Sequence, residues 1–221
     1  MSRNRFRVLA FLAVIAALSV IFVSSTQAGM VSFNMGAMFS WTGTPTYAPP
    51  WLNAKFVDVS PGQVELTISA IGLGLGEKID GVYLNLDPVL NPFQLAFSAP
   101  TKTGTFANPI ISHGTSSKPY DQYKADGDGK YDILIAFDTT TAGAFNGGEA
   151  VKYTITLASL TANSFDFLSK PAGGNGPFVT AAHILDTGGV SGTSAWVTTP
   201  EPATICILGL GALSLLRRRR A

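Results

Sequence analysis

Cysteine is almost absent from this chain of 221 residues, in which Cys206 is the sole example. The segment 29–199 therefore has no cysteine, which excludes a disulfide, a thiol nucleophile and a thiolate metal site there. Arginine is also absent from this segment, and its eight lysines against thirteen acidic residues leave a net charge of −5. An acidic body argues against nucleic acid as a partner, because phosphate binding needs a basic face.

The segment 29–199 also lacks any long apolar repeat of 3.6 residues, so that no long helix is expected there. Apolar and polar residues instead alternate in Gln63–Ala70, which is typical of a strand with one solvated face. The alternation recurs in Gly81–Asp87, Tyr131–Asp138 and Ala150–Leu160, and shorter candidate strands include Phe93–Phe97, Ser164–Leu168 and Phe178–Leu185. Glycine-rich turns separate these segments. The pattern predicts an all-β fold, an antiparallel β-sandwich of about eight to ten strands that is jelly-roll-like or immunoglobulin-like.

Residues 1–28 have the features of a secretory signal peptide. Basic residues at Arg3, Arg5 and Arg7 precede the apolar run Val8–Val23, and small residues up to Ala28 suit cleavage by signal peptidase. An uncleaved N-terminal anchor is the alternative. Either interpretation predicts an exported protein.

The other apolar run, Ala203–Leu216, has 14 residues and contains two polar ones. As a helix it would reach roughly 21 Å, whereas a hydrocarbon core is about 30 Å thick. A buried core helix is the alternative, but four consecutive arginines follow the run. These residues would act as a cytoplasmic stop-transfer signal by the positive-inside rule, and they are Arg217, Arg218, Arg219 and Arg220.

The sequence Pro200, Glu201 and Pro202, the short apolar run and the arginine cluster together resemble the PEP-CTERM protein-sorting tail, also called the ice-binding protein C-terminal domain. The resemblance covers residues 200–221. It implies recognition by an exosortase, a membrane-embedded cysteine protease, near Pro200, Glu201 and Pro202. It also implies a temporary membrane anchor and an association with bacteria that make extracellular polysaccharide.

These features predict four parts along the chain. Residues 1–28 form a signal peptide, and 29–197 form an extracellular β-sandwich domain. Residues 198–202 are a linker with the sorting motif. Residues 203–221 form a transmembrane helix with an arginine-rich cytoplasmic tail.

Asp126, Asp128 and Asp132 have the alternating spacing with which carboxylates in a glycine-bent loop bind Ca²⁺. The stretch departs from an EF-hand loop, because the twelfth position is Phe137 rather than a bidentate glutamate. A β-hairpin turn is the alternative, since Asp-Gly pairs supply the positive φ angles of tight turns. The sequence predicts no other cofactor.

Trp41, Tyr47 and Trp51 lie in a short proline-containing stretch. Exposed aromatic rings stack on the apolar faces of sugars, so that these three residues are candidates for binding a glycan. The alternative is that they close one end of the hydrophobic core.

The sequence does not predict an enzyme. No Gly-x-Ser-x-Gly motif is present, and we expect His183 to be a hydrogen-bonded structural residue and His113 a loop residue. A glycosidase would need two facing carboxylates, for which the sequence offers only scattered candidates, namely Asp132, Asp138, Glu149 and Asp166.

The leading hypothesis is an exported, non-enzymatic protein of the cell surface or extracellular matrix, associated with extracellular polysaccharide. The alternative is a carbohydrate-binding module, with Ca²⁺ as a possible stabilising ion. A hydrolase and an ice-binding protein are discounted. The body lacks the regular Thr-x-Thr repeat of a flat ice-binding face.

Overall fold

The computed structural model describes residues 28–200. Within this range the chain forms 3-10 helices at Pro92–Gln94, Ala162–Phe165 and Thr187–Gly189, together with sixteen strands. The strands are β1 (Met30–Met35), β2 (Ala37–Trp41), β3 (Leu52–Ser60), β4 (Gln63–Ala70), β5 (Lys78–Leu84), β6 (Ala96–Phe97), β7 (Thr101–Thr103), β8 (Ile110–Ser112), β9 (Tyr123–Ala125), β10 (Gly129–Tyr131), β11 (Ile133–Ala136), β12 (Phe145–Asn146), β13 (Ala150–Thr156), β14 (Lys170–Pro171), β15 (Thr180–Leu185) and β16 (Ser194–Thr198).

Several predicted segments lie outside the described residues. They are the signal peptide as far as residue 27, the motif residues Glu201 and Pro202, and the apolar helix with its arginines from residue 203 onward. In residues 28–200, no helix is both long and apolar enough to cross a membrane. The predicted linker begins inside the fold, because Thr198 is a buried residue of β16.

Two antiparallel sheets make up most of the structure. The first has the order β1-β3-β4-β13, and β6 and β7 both pair with β13. The second has the order β2-β16-β15-β5-β11-β8, and β12 also pairs with β5. The chain passes from the first sheet to the second at Gly36, between β1 and β2. A small third sheet has the order β14-β10-β9. The prediction of an all-β, antiparallel fold is confirmed.

The alternating sequence of β4 produces the alternating burial that was predicted. Val64, Leu66 and Ile68 are fully buried, while the residues between them are not. Successive side chains of a strand point to opposite faces of the sheet, so that β4 contributes one face to the core. β13 repeats the pattern with Val151, Tyr153 and Ile155.

Side chains from both large sheets meet in one hydrophobic core. The first sheet contributes residues such as Phe56 and Leu66, and the second contributes residues such as Val82 and Ile184. A smaller aromatic cluster lies on the other face of the second sheet, where Phe39 and Tyr83 pack with Ala125 and Tyr131 of the third sheet. The second sheet is therefore covered on both faces over part of its area.

Of the shorter candidate strands, one was wrong throughout and another was wrong in part. Ser164–Leu168 was predicted as a strand, but Ala162–Phe165 is a 3-10 helix with a capping box between Thr161 and Ser164. Phe93–Phe97 was also predicted as a strand, whereas it begins within a 3-10 helix and only its last two residues form β6. In both cases local hydrogen bonds from Ser, Thr or Asn side chains compete with strand pairing.

Candidate functional site

The structure separates the three aromatic residues that were predicted to bind a glycan. Trp41 and Tyr47 are 57% and 56% exposed, whereas Trp51 is only 4% exposed. Trp51 lies in the hydrophobic core, and its Nε1 donates a hydrogen bond to the carbonyl oxygen of Tyr47 at 2.7 Å. Trp51 therefore helps to close the core, as the alternative interpretation had it, whereas Trp41 and Tyr47 face solvent and their binding of a glycan stays a prediction.

Trp41 borders an aromatic groove that runs beside the edge strand β2. The groove has a cavity volume of about 470 Å³. Two phenylalanine rings form part of its wall, and the centroids of Phe39 and Phe178 lie 4.7 Å apart. The groove is lined by Ala37, Met38, Phe39, Trp41, Asn175, Phe178, Thr198, Thr199 and Pro200. We call this cavity the Trp41 groove.

Asn175 places an amide in the wall of the Trp41 groove. Its Nδ2 donates to the carbonyl oxygen of Phe39 at 3.1 Å, and its backbone N–H donates to Oδ1 of Asp128. The first bond holds the glycine-rich turn before Phe178 against β2, and the second holds it against the turn between β9 and β10. A side-chain amide has two N–H donors and one carbonyl acceptor, so that Asn175 combines a fixed position with further hydrogen-bonding capacity.

The chemistry of the Trp41 groove suits a neutral ligand. Among residues 28–200, none of those that line it carries a charge. Aromatic walls with a few placed polar groups are typical of sites that bind small molecules or sugar units. Rings of this kind stack on apolar faces, and the amide of Asn175 and the hydroxyls of Thr198 and Thr199 offer hydrogen bonds.

The predicted calcium loop lies largely in the hairpin that joins β9 to β10. Asp126 and Gly127 have positive φ angles of 46° and 82°, and the backbone N–H of Asp128 donates to the carbonyl oxygen of Ala125 at 2.9 Å. The backbone is therefore the tight turn of the alternative interpretation. In the described part of the chain, no three His, Cys, Asp or Glu residues are grouped so that they could hold a metal ion.

The carboxylates of Asp128 and Asp132 serve two different loops. Asp128 accepts a hydrogen bond from the turn that contains Asn175. Asp132 accepts from the backbone N–H groups of Leu86 and Asp121, each at 3.0 Å. The third residue of the predicted set, Asp126, stands in the turn itself. Calcium binding by the three residues stays a prediction.

Asp132 is almost completely buried at the wall of a second cavity of about 320 Å³. Burial raises the pKa of its carboxyl group, and the two amide hydrogen bonds offset part of that shift. The nearby Asp121 carboxylate raises this pKa further and pairs with Lys170, with 3.3 Å between Oδ2 and Nζ. The cavity is lined by Asn85, Leu86, Pro88, Tyr120, Asp121, Asp132, Phe167, Leu168 and Lys170.

Both histidines have structural partners. Nδ1 of His183 lies 3.0 Å from Oδ2 of Asp80, and its ring stacks on Trp196 with 4.2 Å between centroids. Nδ1 of His113 lies 2.9 Å from the carbonyl oxygen of Pro92. Across residues 28–200, no Ser or Thr hydroxyl forms a hydrogen bond with either imidazole. His183 is thus hydrogen-bonded, as the sequence predicted.

Two of the three other candidate carboxylates also bind groups of the protein, whereas Asp166 lines the cavity beside β1. Asp138 accepts hydrogen bonds from the backbone N–H and the hydroxyl of Thr140. Glu149 accepts from the backbone N–H groups of Thr105 and Asn146, at 2.9 and 2.7 Å. Each of these two carboxylates therefore stabilises a turn.

Sequence reasoning missed Glu77, which has no exposed surface at all. Its Oε1 accepts hydrogen bonds from the N–H and hydroxyl of Thr46 and from the N–H of Gly188, at 2.7, 3.0 and 2.7 Å. Its Oε2 accepts from the N–H of Gly74 at 2.5 Å. One carboxylate thus connects three loops. Its neighbouring glycines, Gly74 and Gly76, are the only signal in the sequence that could have drawn attention to it.

The sorting segment leaves the fold between two cavities. The Thr198 hydroxyl donates to the carbonyl oxygen of Thr180 at 2.6 Å, and the N–H of Gly36 donates to the carbonyl oxygen of Thr198 at 2.9 Å. Thr199 and Pro200 line the Trp41 groove on one side and a larger cavity of about 580 Å³ beside β1 on the other. The fold therefore continues to the first residues of the motif.

Comparison with known proteins identifies the C-terminal segment. Residues 198–220 match the family model of the PEP-CTERM protein-sorting motif. A search of the curated proteins and a search of the solved structures found no match. The chain thus carries a PEP-CTERM sorting motif, which marks an exported protein that an exosortase sorts to the cell surface.

Proposed function

We propose that this protein is a non-enzymatic component of the cell surface or extracellular matrix that binds neutral polysaccharide in the Trp41 groove. The observation that carries the proposal is an uncharged groove with one exposed tryptophan, two phenylalanines and an amide in its wall. The sorting motif supports it, because it sends the domain to the place where extracellular polysaccharide is found.

The physical basis is stacking combined with a few hydrogen bonds. Sugar rings have apolar C–H faces and polar hydroxyl edges, which match an aromatic wall with amide and hydroxyl groups beside it. The net charge of −5 over residues 29–199 favours a neutral over an anionic polymer.

The test is binding to a glycan array and then isothermal titration with the polysaccharide that binds. Trp41→Ala is expected to weaken binding about fivefold or more, since one ring stack is worth roughly 1–3 kcal/mol by analogy with bases on aromatic side chains. Tyr47→Ala is the matched control, because Tyr47 is exposed to the same extent but lies outside the groove. Equal losses in the two variants, or no glycan binding by the unmodified protein, would contradict the proposal.

The non-enzymatic role has its own test. The described residues that line the groove include no carboxylate, imidazole or thiol that could act as an acid, base or nucleophile. We expect the bound polysaccharide to keep its chain length after prolonged incubation with the protein, as judged by mass spectrometry. If shorter products appear and Asp132→Asn abolishes them, the cavity at Asp132 would be the site of a hydrolase instead.

We also propose that residues 203–221 anchor the chain in the membrane until an exosortase cuts near Pro200, Glu201 and Pro202. The apolar run is short for a permanent span, which suits a removable anchor. Arg217, Arg218, Arg219 and Arg220 would hold its far end in the cytoplasm. Replacing Pro200, Glu201 and Pro202 with alanine should leave an uncleaved form of higher mass in the membrane fraction. Normal release of this variant would refute the role of the motif.

The two large sheets are best described as a β-sandwich, which we propose as the architecture of the domain. Support comes from the single core that side chains of both sheets share. Hydrogen exchange should protect the central strands β4 and β15 most strongly. Rapid exchange of one entire sheet would be incompatible with such a shared core.

A further inference from the structure

The cavity at Asp132 contains acceptor sites that the described part of the protein does not fill. Oδ2 of the nearly buried Asp132 accepts the backbone N–H of Leu86, and Oδ1 accepts that of Asp121. An ionised carboxylate has about four acceptor sites, so that each oxygen can accept one more hydrogen bond. The raised pKa of this carboxyl group agrees with that count, because burial outweighs the two bonds that are formed.

Asn85 adds a second acceptor to the same cavity. This residue is only 3% exposed, and its Nδ2 donates to the carbonyl oxygens of Phe178 and Val179 at 3.3 and 2.9 Å. The two bonds use both N–H groups of the amide and fix its orientation, while Oδ1 accepts no hydrogen bond within residues 28–200. In that range the unpaired side-chain atoms that are fully shielded from solvent are the hydroxyls of Tyr131 and Tyr153. Oδ1 of Asn85 is therefore accessible, and it is accessible from the cavity that this residue lines.

Two further residues of the wall supply hydrogen-bond donors. Lys170 reaches Asp121 with 3.3 Å between Nζ and Oδ2, and its side chain is exposed. An ammonium group has three N–H donors, and the hydroxyl of Tyr120 can donate or accept. A wall that offers both acceptors and donors matches hydroxyl groups, because each hydroxyl also does both.

The rest of the wall is largely apolar. Pro88, Phe167 and Leu168 line the cavity, and Leu168 is exposed although its side chain is large and apolar. A sugar ring has an apolar C–H face and a polar hydroxyl edge, so that it fits an apolar wall beside hydrogen-bonding groups. The volume of about 320 Å³ lies near the lower end of the range for small-molecule sites. This size suits one ring rather than a length of chain.

We propose that the cavity binds a single neutral sugar ring, whose hydroxyls donate to Asp132 and Asn85 and whose C–H face packs on Phe167 and Leu168. This would be a second binding site of the domain. It shares no lining residue with the Trp41 groove, so that it does not depend on the function proposed for that groove.

The charges of the wall favour a neutral ligand over an ion. The carboxylates of Asp121 and Asp132 would repel an anion. Lys170 already pairs with Asp121, and its ammonium group would repel a metal ion or an amine. Ca²⁺ also takes about six to eight oxygen ligands, whereas both oxygens of Asp132 already hold a backbone N–H. A sugar hydroxyl meets neither obstacle, because it adds one hydrogen bond to each free acceptor site.

Saturation-transfer NMR titration with methyl glycosides of neutral hexoses tests the site in protein purified from the producing cells. All variants carry Trp41→Ala, so that binding in the Trp41 groove contributes little. In this background Asp132→Asn should weaken binding about tenfold or more, because hydrogen bonds to a charged acceptor are lost. Asp138→Asn is the matched control, since Asp138 also accepts two hydrogen bonds but does not line the cavity. Equal losses in these two variants would overturn the proposal.

The same titration separates this proposal from that for the Trp41 groove. If the unmodified protein binds the glycosides and Trp41→Ala does not, the second site is refuted and the groove is supported. If Trp41→Ala binds as well as the unmodified protein and Asp132→Asn removes the binding, the second site is supported and the groove is not.

A second pair of variants leaves the buried carboxylate unchanged. Leu168→Ala should weaken binding roughly threefold or more, because it removes apolar surface from the wall. Leu75→Ala is its control, since Leu75 is also exposed but does not line this cavity. Circular dichroism verifies that all variants are folded. Equal binding by the two leucine variants, or displacement of the glycoside by CaCl₂ or methylammonium chloride, would contradict a neutral sugar in this cavity.

Discussion

A buried carboxylate binds backbone N–H groups at each end of β5, but the two carboxylates differ in how many hydrogen bonds they accept. Glu77 precedes the strand and Leu86 follows it, and at each end a buried carboxylate accepts hydrogen bonds from backbone N–H groups. Glu77 accepts four hydrogen bonds and has no exposed surface. Asp132 accepts two backbone hydrogen bonds and borders a cavity.

The difference shows how the number of donors decides what a buried carboxylate does. An ionised carboxylate has about four acceptor sites, and at Glu77 the surrounding loops use that capacity fully. At Asp132 two amide donors do not offset the burial, so that the pKa of the carboxyl group stays raised. At the Glu77 end the loops cover the carboxylate completely. At the Asp132 end the carboxyl group borders a cavity and has a raised pKa.

The largest expected effect in this comparison is that of Glu77→Gln. Whichever way the new amide is turned, its NH₂ group faces a backbone N–H that has lost its acceptor. Leaving buried donors unpaired should lower the free energy of unfolding by about 3 kcal/mol, measured by urea denaturation.

Glu65→Gln is the control for this substitution. Glu65 forms a partly exposed ion pair with Lys152 at 3.0 Å, and exposed pairs contribute about 0–1 kcal/mol. If the two variants lose the same stability, the hydrogen bonds of the Glu77 carboxylate do not hold the three loops together.

Asp132→Asn should have a smaller effect at pH 7, about 1 kcal/mol. The asparagine loses one acceptor for the N–H groups of Leu86 and Asp121, but it also removes a charge whose burial is unfavourable. The same urea experiment measures both variants. A loss as large as that of Glu77→Gln would mean that the two ends of β5 are held equally firmly.

Much of the fold could be predicted from local sequence patterns. Strands such as β4 and β13 alternate apolar and polar residues, and their burial follows that alternation. Ser164–Leu168 was wrongly assigned to a strand because a capping box between Thr161 and Ser164 provides local hydrogen bonds. Patterns in a single sequence identify elements well when one face is buried and poorly when side chains bind the nearby backbone.

The sites were harder to predict, because their partners are distant along the chain. Glu77 binds Thr46 and Gly188, which lie 31 and 111 residues away. The sequence identified Trp41 as a candidate, but the other walls of its groove, Phe178 and Asn175, come from a turn more than a hundred residues later. Proximity of this kind depends on strand order, which the sequence pattern does not specify.

The two ends of β5 should also respond in opposite directions to acid. At the Glu77 end, Asp186 pairs with Lys78 at 2.9 Å, and hydrogen bonds from Lys78 and from the N–H of Gly192 lower its pKa. Its contribution to stability is therefore complete above the ordinary carboxyl pKa and is lost as pH falls through the lowered value.

For Asp132 the sign is reversed. Burial raises its pKa above the ordinary value of 3.8, so that stability is gained as pH falls through the raised value. Carboxyl-carbon NMR shifts should place the titration of Asp132 above 3.8 and that of Asp186 below it. The reverse order would show that the cavity at Asp132 hydrates the carboxylate well enough to cancel the effect of burial.

The smallest expected effect is that of a chelator. It tests whether a cation binds at the Asp132 end of β5. Asp128 and Asp132 already accept backbone hydrogen bonds from two separate loops, so that a shared ion would compete with those donors for the carboxylate oxygens. We therefore expect EDTA to change the melting temperature by less than about 2 °C, within the range of a perturbation well below 1 kcal/mol. Asp126→Asn is the matched variant, because Asp126 stands in the exposed turn just before Asp128. If EDTA lowers the melting temperature by several degrees in the unmodified protein but not in Asp126→Asn, the three carboxylates bind Ca²⁺. The Asp132 end of β5 would then be stabilised by an ion as well as by backbone hydrogen bonds.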